Sequence, residues 1–442
     1  MATTDHNELA EAHSGAVGLT ESEKAAQIAA ATAPEMLADT LGEYSRIWLR
    51  RVRSGESGAL PVIFGLIVLG AYFQITQPTF LGASNIANLM TQAGWIITIA
   101  MAQTFILLLG EIDLSVGFNA IIGGTVTTWM VSINNPWPTW VAIIAGLVVC
   151  AAITTIEGLL VFWLRIPSFV ITLAGLLGLN GVLLWLFEET GKVGLGGVIQ
   201  LHNNFINDLE SGNITPTVGW ILLVATVVLG GGFMIMRDTR RRAHGLVAPP
   251  LGVTILKIIL MGGIGLILVA VLNHNRGTAY QALSGVPWVV PIILVLLGLT
   301  TVLLARTKFG RYVYAIGGNA EAARRAGINL RRVRVLAFAL CGLFAGITGI
   351  LFISLLGSAE ENFPGGQYVL YSVAGAVIGG VSLFGGRGRM LGAVLGGFVV
   401  AVIYNGVELE GYGAAGQYIW TALVLLAAVT LDAIARRGTA PS

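Results

Sequence analysis

Glu111 and Asp113 are carboxylates in the octapeptide GEIDLSVG (110–117), with strongly apolar runs on both sides. An ionisable group at membrane depth is costly and normally faces a cavity or a partner. On a helix, residues two apart do not share a face, so the two acids can act together only if the chain breaks near Gly110 or Gly117. Asp113 with Ser115 also reads as a helix N-cap, its carboxylate accepting amides of the first turn. Glu157, Thr172 and Asn180 are further polar groups on apolar segments. Buried polar groups need partners, so these residues are expected either to line a hydrated path or to hydrogen-bond between helices. A proton relay would use the same acids, but it lacks a neighbouring His or Lys.

Other chemistry finds no support. Cys150 and Cys341 both lie in apolar runs and read as buried small hydrophobes. They suggest neither a disulfide framework nor a thiol metal site. The glycine-rich run GAVIGGVSLFGGRGRM (375–390) lacks the lysine and the spacing of a phosphate-cradling P-loop. It fits close helix packing, a broken helix or a turn beside a pore. With no nucleophile–base pair in view, neither an enzyme activity nor a cofactor or metal is expected.

The elements that must position these residues are membrane helices. The chain has 442 residues, of which 55% are hydrophobic and 11% charged. Soluble domains carry about 25% charged residues. Mean hydropathy is +0.81. A span needs about 20 apolar residues, and apolar runs fall near 59–77, 86–109, 114–133, 139–163, 168–187, 217–236, 253–272, 286–305, 335–357, 368–385, 389–406 and 417–434. The expected fold class is all-α, a polytopic transmembrane helical bundle of about 10–12 spans. The weakest boundaries are the turn near 110–114 and the run 253–272. Residues 1–43 read as a disordered cytoplasmic tail with a short helix near Glu21 to Ala31, 44–436 as the transmembrane domain, and 437–442 as a carboxy-terminal tail.

Charge sets the expected topology. Arg46, Arg50, Arg51 and Arg53 precede the first run and place the amino terminus in the cytoplasm by the positive-inside rule. With twelve crossings, 21 of the 25 Lys and Arg residues fall at inside borders, and only Lys192 and Arg276 are left outside. The acids Glu188, Glu189, Asp208, Glu210, Glu360, Glu361, Glu408 and Glu410 fall outside. The long outside loop from Thr190 to Thr217 is expected to hold a short surface helix. Trp95, Trp129, Trp137, Trp140, Trp163, Trp185, Trp220, Trp288 and Trp420 read mostly as interface anchors.

Eight of the 25 basic residues lie in 306–334, RTKFGRYVYAIGGNAEAARRAGINLRRVR. Asn319 is a good N-cap, Glu321 suits a first turn and Gly327 a stop. The pattern predicts a short amphipathic helix over about 320–326, held between spans by short elbows.

Four stretches, GEIDLSVG, PSFVITLAGLLGLNG (167–181), GGNAEAARRAGINLRRVR (317–334) and GAVIGGVSLFGGRGRMLGAVLGG (375–397), resemble in order the permease subunits of bacterial sugar ABC importers of the ribose/xylose type. The resemblance covers about 60–434 and is nearest the xylose branch. It implies the ABC importer permease fold, no ATPase activity in this chain, and residence in the bacterial inner membrane. It also implies an ATP-binding partner subunit, an extracytoplasmic sugar-binding protein, a second permease copy as a homodimer, and no nucleic-acid partner. It makes Asn319 to Gly327, with Arg324 and Arg325, the ATPase-coupling helix, and Glu321, Ala322, Ala323 and Gly327 match its motif. On that model Ala322 and Ala323 pack into a groove of the ATPase, and Arg324 or Arg325 faces its rim. Glu157-Gly158 and Asn180-Gly181 depart from the Asn-Gly and Arg-Gly frequent in the family. An ion-coupled secondary transporter using Glu111, Asp113 or Glu157 is the alternative.

Overall fold

The computed structural model describes residues 42–43, 45–47, 60–133, 135–191, 197–277 and 283–437. The expected tail helix near Glu21 to Ala31, Arg50, Arg51, Arg53 and Lys192 lie outside these residues. The long apolar runs have become helices, since in hydrocarbon only a helix satisfies its own backbone. In chain order they are α1 (Leu60–Thr76), α2 (Ala83–Leu107), α3 (Val116–Met130), α4 (Thr139–Leu164) and α5 (Ser168–Gly191). After β1 (Val198–Gln200), α6 (Asn204–Ser211) and β2 (Asn213–Ile214) come α7 (Pro216–Ala243) and α8 (Leu251–Leu272). Then follow β3 (Val286–Pro287), α9 (Val289–Arg306), α10 (Lys308–Gly318), α11 (Ala320–Arg325), α12 (Leu330–Leu356) and β4 (Ser358–Glu360). The chain closes with α13 (Gly365–Ile378), α14 (Met390–Leu409) and α15 (Gly413–Arg437).

Among the described residues, eight helices are long and apolar enough to cross a membrane: α2, α4, α5, α7, α8, α9, α12 and α14. α1 and the first part of α15 are shorter apolar helices. Each of the twelve apolar runs falls on its own helix, including the 253–272 run, and the turn near 110–114 separates α2 from α3. The chain is a multi-pass membrane protein.

The described residues pack as two units. The smaller contains the hairpin of α7 and α8 over Thr217–Ala270. Within it Gly231 admits Ile258. Buried Asp238 pairs with Arg237 at 2.8 Å and accepts from the Thr254 hydroxyl at 2.8 Å.

The larger unit holds all the remaining elements. Its core is α2 and α12, with α3, α4, α13 and α14 packed on them. The most apolar stretch of α2 is 83% buried, whereas that of α5 is only 11% buried and presents exposed Phe169, Leu173, Leu177 and Trp185. Such a face suits lipid. Two short antiparallel ladders tie loops at one end of this unit: β1 to β4 in the register Val198↔Glu360, and β2 to β3 with Ile214↔Val286. The Arg-rich segment lies at the opposite end, with the α2–α3 turn and the glycine-rich turn 379–389 beside it. We call these the acidic and basic ends.

Candidate functional site

At the basic end, three helices follow one another through short elbows. The Thr307 hydroxyl accepts the Gly310 amide at 3.2 Å and starts α10. The Asn319 side chain accepts the Ala322 amide at 2.9 Å and starts α11, and Asn329 accepts the Arg332 amide at 3.0 Å and starts α12. Side-chain acceptors of this kind satisfy amides that a helix start leaves unpaired. Gly327, at φ +82°, ends the turn after α11 in the left-handed region that favours glycine. The expected helix over 320–326 is therefore present as Ala320–Arg325.

Its two central alanines face different ways. Ala323 is turned inward and 5% exposed, while Ala322 is exposed. Helical spacing explains this, because Ala320 and Ala323 share the side that meets Ile328 and α12, and Ala322 is rotated away. Arg324 and Arg325 fold back onto Glu321 at 2.8 Å and 3.2 Å. Hydrogen bonds from Arg324 and then Arg325 hold the Glu321 carboxyl below its usual range.

α10 joins this segment to the bundle core. A side chain at Gly317 would overlap the Leu108 carbonyl and the Gly386 amide. The Gly386 amide donates to that same carbonyl at 2.9 Å. A Cβ at Gly385 would lie 2.7 Å from the Gly110 nitrogen and 2.8 Å from the Gly317 carbonyl oxygen. The end of α2, the end of α10 and the glycine-rich turn thus meet backbone to backbone, as small residues permit. The run at 375–390 is this helix-packing junction. The Tyr314 hydroxyl adds a bond to the Gly388 carbonyl at 2.9 Å.

The acids of 110–117 part company. Glu111 pairs with Arg334 of α12 at 2.8 Å. Asp113 is fully buried, and its carboxylate accepts the Ser115 amide at 2.8 Å, a bond within the turn before α3; the cap position of α3 is Ser115, not Asp113. Ser115 Oγ lies 2.7 Å from Asp113 Oδ1 and 2.9 Å from Glu157 Oε2 on α4. A hydroxyl has one proton to donate, so it can serve only one of these carboxyls as donor. Gly175 of α5 leaves the room that Glu157 Oε1 occupies. Thr172 Oγ donates toward the Ile112 carbonyl at 3.2 Å and the Ser168 carbonyl at 3.1 Å. Cys341 Sγ lies 3.6 Å from Asp113 Oδ2. Asp113, Ser115, Glu157 and Thr172 therefore form one buried polar joint between α3, α4, α5 and α12. Asn180 sits half-buried further along α5, outside it.

Two features toward the acidic end were not read from the sequence. Trp95 is 1% exposed and is no interface anchor. Its ring lies 4.7 Å from Tyr368, 6.2 Å from Tyr371 and 6.1 Å from Tyr404. The Gln367 amide donates to the Tyr371 hydroxyl, and both stand 3.5 Å from Gln417 Oε1. The second feature is Glu210. The expected surface helix in 190–217 exists as α6, but it carries Glu210 fully buried against Gly94 of α2. Burial pushes this carboxyl well above its usual range. The Glu210 amide donates to Ser354 Oγ at 2.9 Å.

The family described as branched-chain amino acid transport system / permease component matches residues 85–431. The xylose transport system permease protein of Escherichia coli K12 is 32% identical over 378 residues, covering 85% of this chain and 92% of the relative. The corresponding protein of Haemophilus influenzae is 32% identical over 380 residues, 84% of this chain and 95% of its own. The ribose import permease protein of Escherichia coli K12 is 28% identical over 389 residues, 88% of this chain and 95% of its own. No solved structure matches the chain.

Proposed function

The chain belongs to the family of branched-chain amino acid transport system permease components, and from that premise we propose that it is the membrane-spanning permease subunit of an ATP-driven importer of a monosaccharide, a pentose such as xylose. A separate ATP-binding subunit supplies the energy, and an extracytoplasmic binding protein delivers the sugar. Two copies of the chain pair across the path, with the amino terminus and the basic end in the cytoplasm, as the positive-inside rule directs.

The observation that carries the mechanical part is the capped helix α11 and its rigid link through α10 to Leu108, Gly110, Gly385 and Gly386. A partner that moves α11 must move α10 with it, because the elbow is one residue, Asn319. The junction leaves no side chain to absorb the displacement, and packed interfaces of this kind switch between discrete arrangements. Exposed Ala322 and the outer edge of Glu321, Arg324 and Arg325 are the surface offered to the ATPase. Asn319 and Gly327 shape α11, and Ala323 anchors it from within. In this reading Glu111, Asp113, Ser115, Glu157 and Thr172 hold the inner ends of α3, α4, α5 and α12 in register.

The experiment is ATP hydrolysis by the reconstituted complex, with and without sugar-loaded binding protein. Charge reversal of Glu321 and Arg324 together should leave the permease folded in the membrane and abolish the stimulation. Unchanged stimulation contradicts the role of α11. A second reading, ion-coupled transport, takes its support from the buried Asp113–Ser115–Glu157 contact. It requires uptake by this chain alone on an ion gradient.

A further inference from the structure

We propose that Trp95, Gln367, Tyr368, Tyr371, Tyr404 and Gln417 form a monosaccharide subsite on the translocation path, closed in this conformation; the inference rests on the importer reading and adds a location to it. The six side chains come from α2, α13, α14 and α15, so a relative shift of any of these helices changes the space between them.

Their chemistry suits a neutral sugar. All six are uncharged groups with an apolar body or a polar tip. Aromatic faces accept the apolar side of a pyranose ring, while amides and phenols pair with its hydroxyls. Trp95 Nε1 is a buried donor without a hydrogen-bond partner among the described residues, which is costly unless something pairs with it in another state. The two contacts to Gln417 Oε1 are long at 3.5 Å, so that acceptor is weakly held. A cluster built only for packing has no use for a buried indole N–H left open beside two amides and three phenols. An incoming polyol can take the indole proton and replace the long contacts.

The test uses the full complex in proteoliposomes, with labelled D-xylose uptake and ATP hydrolysis measured together. Trp95→Phe keeps a six-membered aromatic ring and removes the pyrrole ring with its N–H, and Gln417→Leu keeps bulk and removes the acceptor. Each should lower uptake by about fivefold and raise the ATP spent per sugar by at least about threefold, the scale of one lost hydrogen bond. Uptake and hydrolysis that fall in proportion, or that both stay unchanged, overturn the subsite. A second measurement needs neither ATP nor partners. In the purified full chain, where Cys150 and Cys341 are buried, Gln417→Cys is exposed to a small thiol reagent. Gln417 is itself 8% exposed, so labelling reports opening of the subsite, and no labelling above that of the wild type overturns the proposal. Saturating D-xylose, D-ribose or D-glucose should slow labelling, and protection by none of them overturns the proposal. Protection in a chain whose wild type shows no ATP-dependent uptake keeps the subsite and rejects the importer reading.

Discussion

Arg334 and Glu111 form an ion pair with Nε and Oε1 2.8 Å apart, and their side chains are 27% and 11% exposed. The pair fastens the start of α12, the helix that follows the Arg-rich segment, to the turn between α2 and α3. Breaking a mostly buried pair strands a charge. Glu111→Gln or Arg334→Leu should each cost about 2 kcal/mol. The double variant should recover part of that loss, which thermal unfolding of the detergent-purified proteins would read as a non-additive cycle. Additive losses would mean the two residues do not interact.

The glycine junction should be intolerant of a single methyl. Gly317→Ala drives a Cβ into the Leu108 carbonyl and the Gly386 amide. Backbone on both sides prevents an easy shift. The expected result is a correctly inserted protein with impaired transport, since α10 can reseat only by changing its contact with α2. Gly318→Ala is the control, because nothing lies within 4 Å of the position its new Cβ would take. Equal activity of the two variants would remove the junction from the account.

The Asn319 cap is predicted to be worth about 1 kcal/mol of local helix stability. Asn319→Ala should raise amide exchange over 320–325, and Asn319→Asp should preserve protection. The Glu321 carboxyl is depressed, so its support for α11 is present above the ordinary glutamate range and is lost as pH falls through the lower, folded value. Protection over α11, measured relative to the intrinsic exchange rate at each pH, should therefore fall in acid in the wild type and respond less in Glu321→Gln.

Glu210 has the opposite sign. Burial raises its affinity for a proton, so the docked state of α6 binds more protons than the undocked one. Docking is then strongest in acid and weakens as pH rises from the ordinary glutamate range toward the raised value. Glu210→Gln should raise Tm at pH 8 relative to wild type and differ little at pH 4. A Tm difference that does not depend on pH would show that Glu210 is not buried as described.

At the polar joint, Glu157→Gln supplies an amide donor to Ser115 Oγ and should be nearly neutral for stability and uptake. Glu157→Leu leaves the hydroxyl without that partner and should cost about 1–3 kcal/mol. Uptake abolished by Glu157→Gln with the fold intact would favour the ion-coupled alternative.

What was legible in the sequence is what local physics determines. Run length against bilayer thickness gave the helices, including the 253–272 run, and Asn319 with Gly327 bracketed α11 to within a residue. The local bond between Asp113 and the Ser115 amide was legible because its partners are two residues apart, although the cap position itself falls on Ser115. Contacts between distant segments were not legible. Nothing local distinguishes Glu111, which meets Arg334, from Asp113, which shares Ser115 with Glu157. Trp95 reads as one more tryptophan in an apolar run, and only the packing of α2 against α12, α13 and α14 buries it. Glu210 sits in a polar loop, where an acid is expected to be solvated, and the docking of α6 on α2 and α12 reverses that. Ala322 and Ala323 are alike in type, and only the direction of the neighbouring α12 decides which is covered.

The central claim is tested most directly by labelled pentose uptake into proteoliposomes holding this chain, with and without the ATP-binding subunit and the binding protein. Each mixture is run with ATP and again with an ion gradient alone. Uptake that requires ATP and both partners is the predicted result. Uptake by this chain alone, driven by the gradient, would contradict it and move Asp113 and Glu157 to the centre of the mechanism.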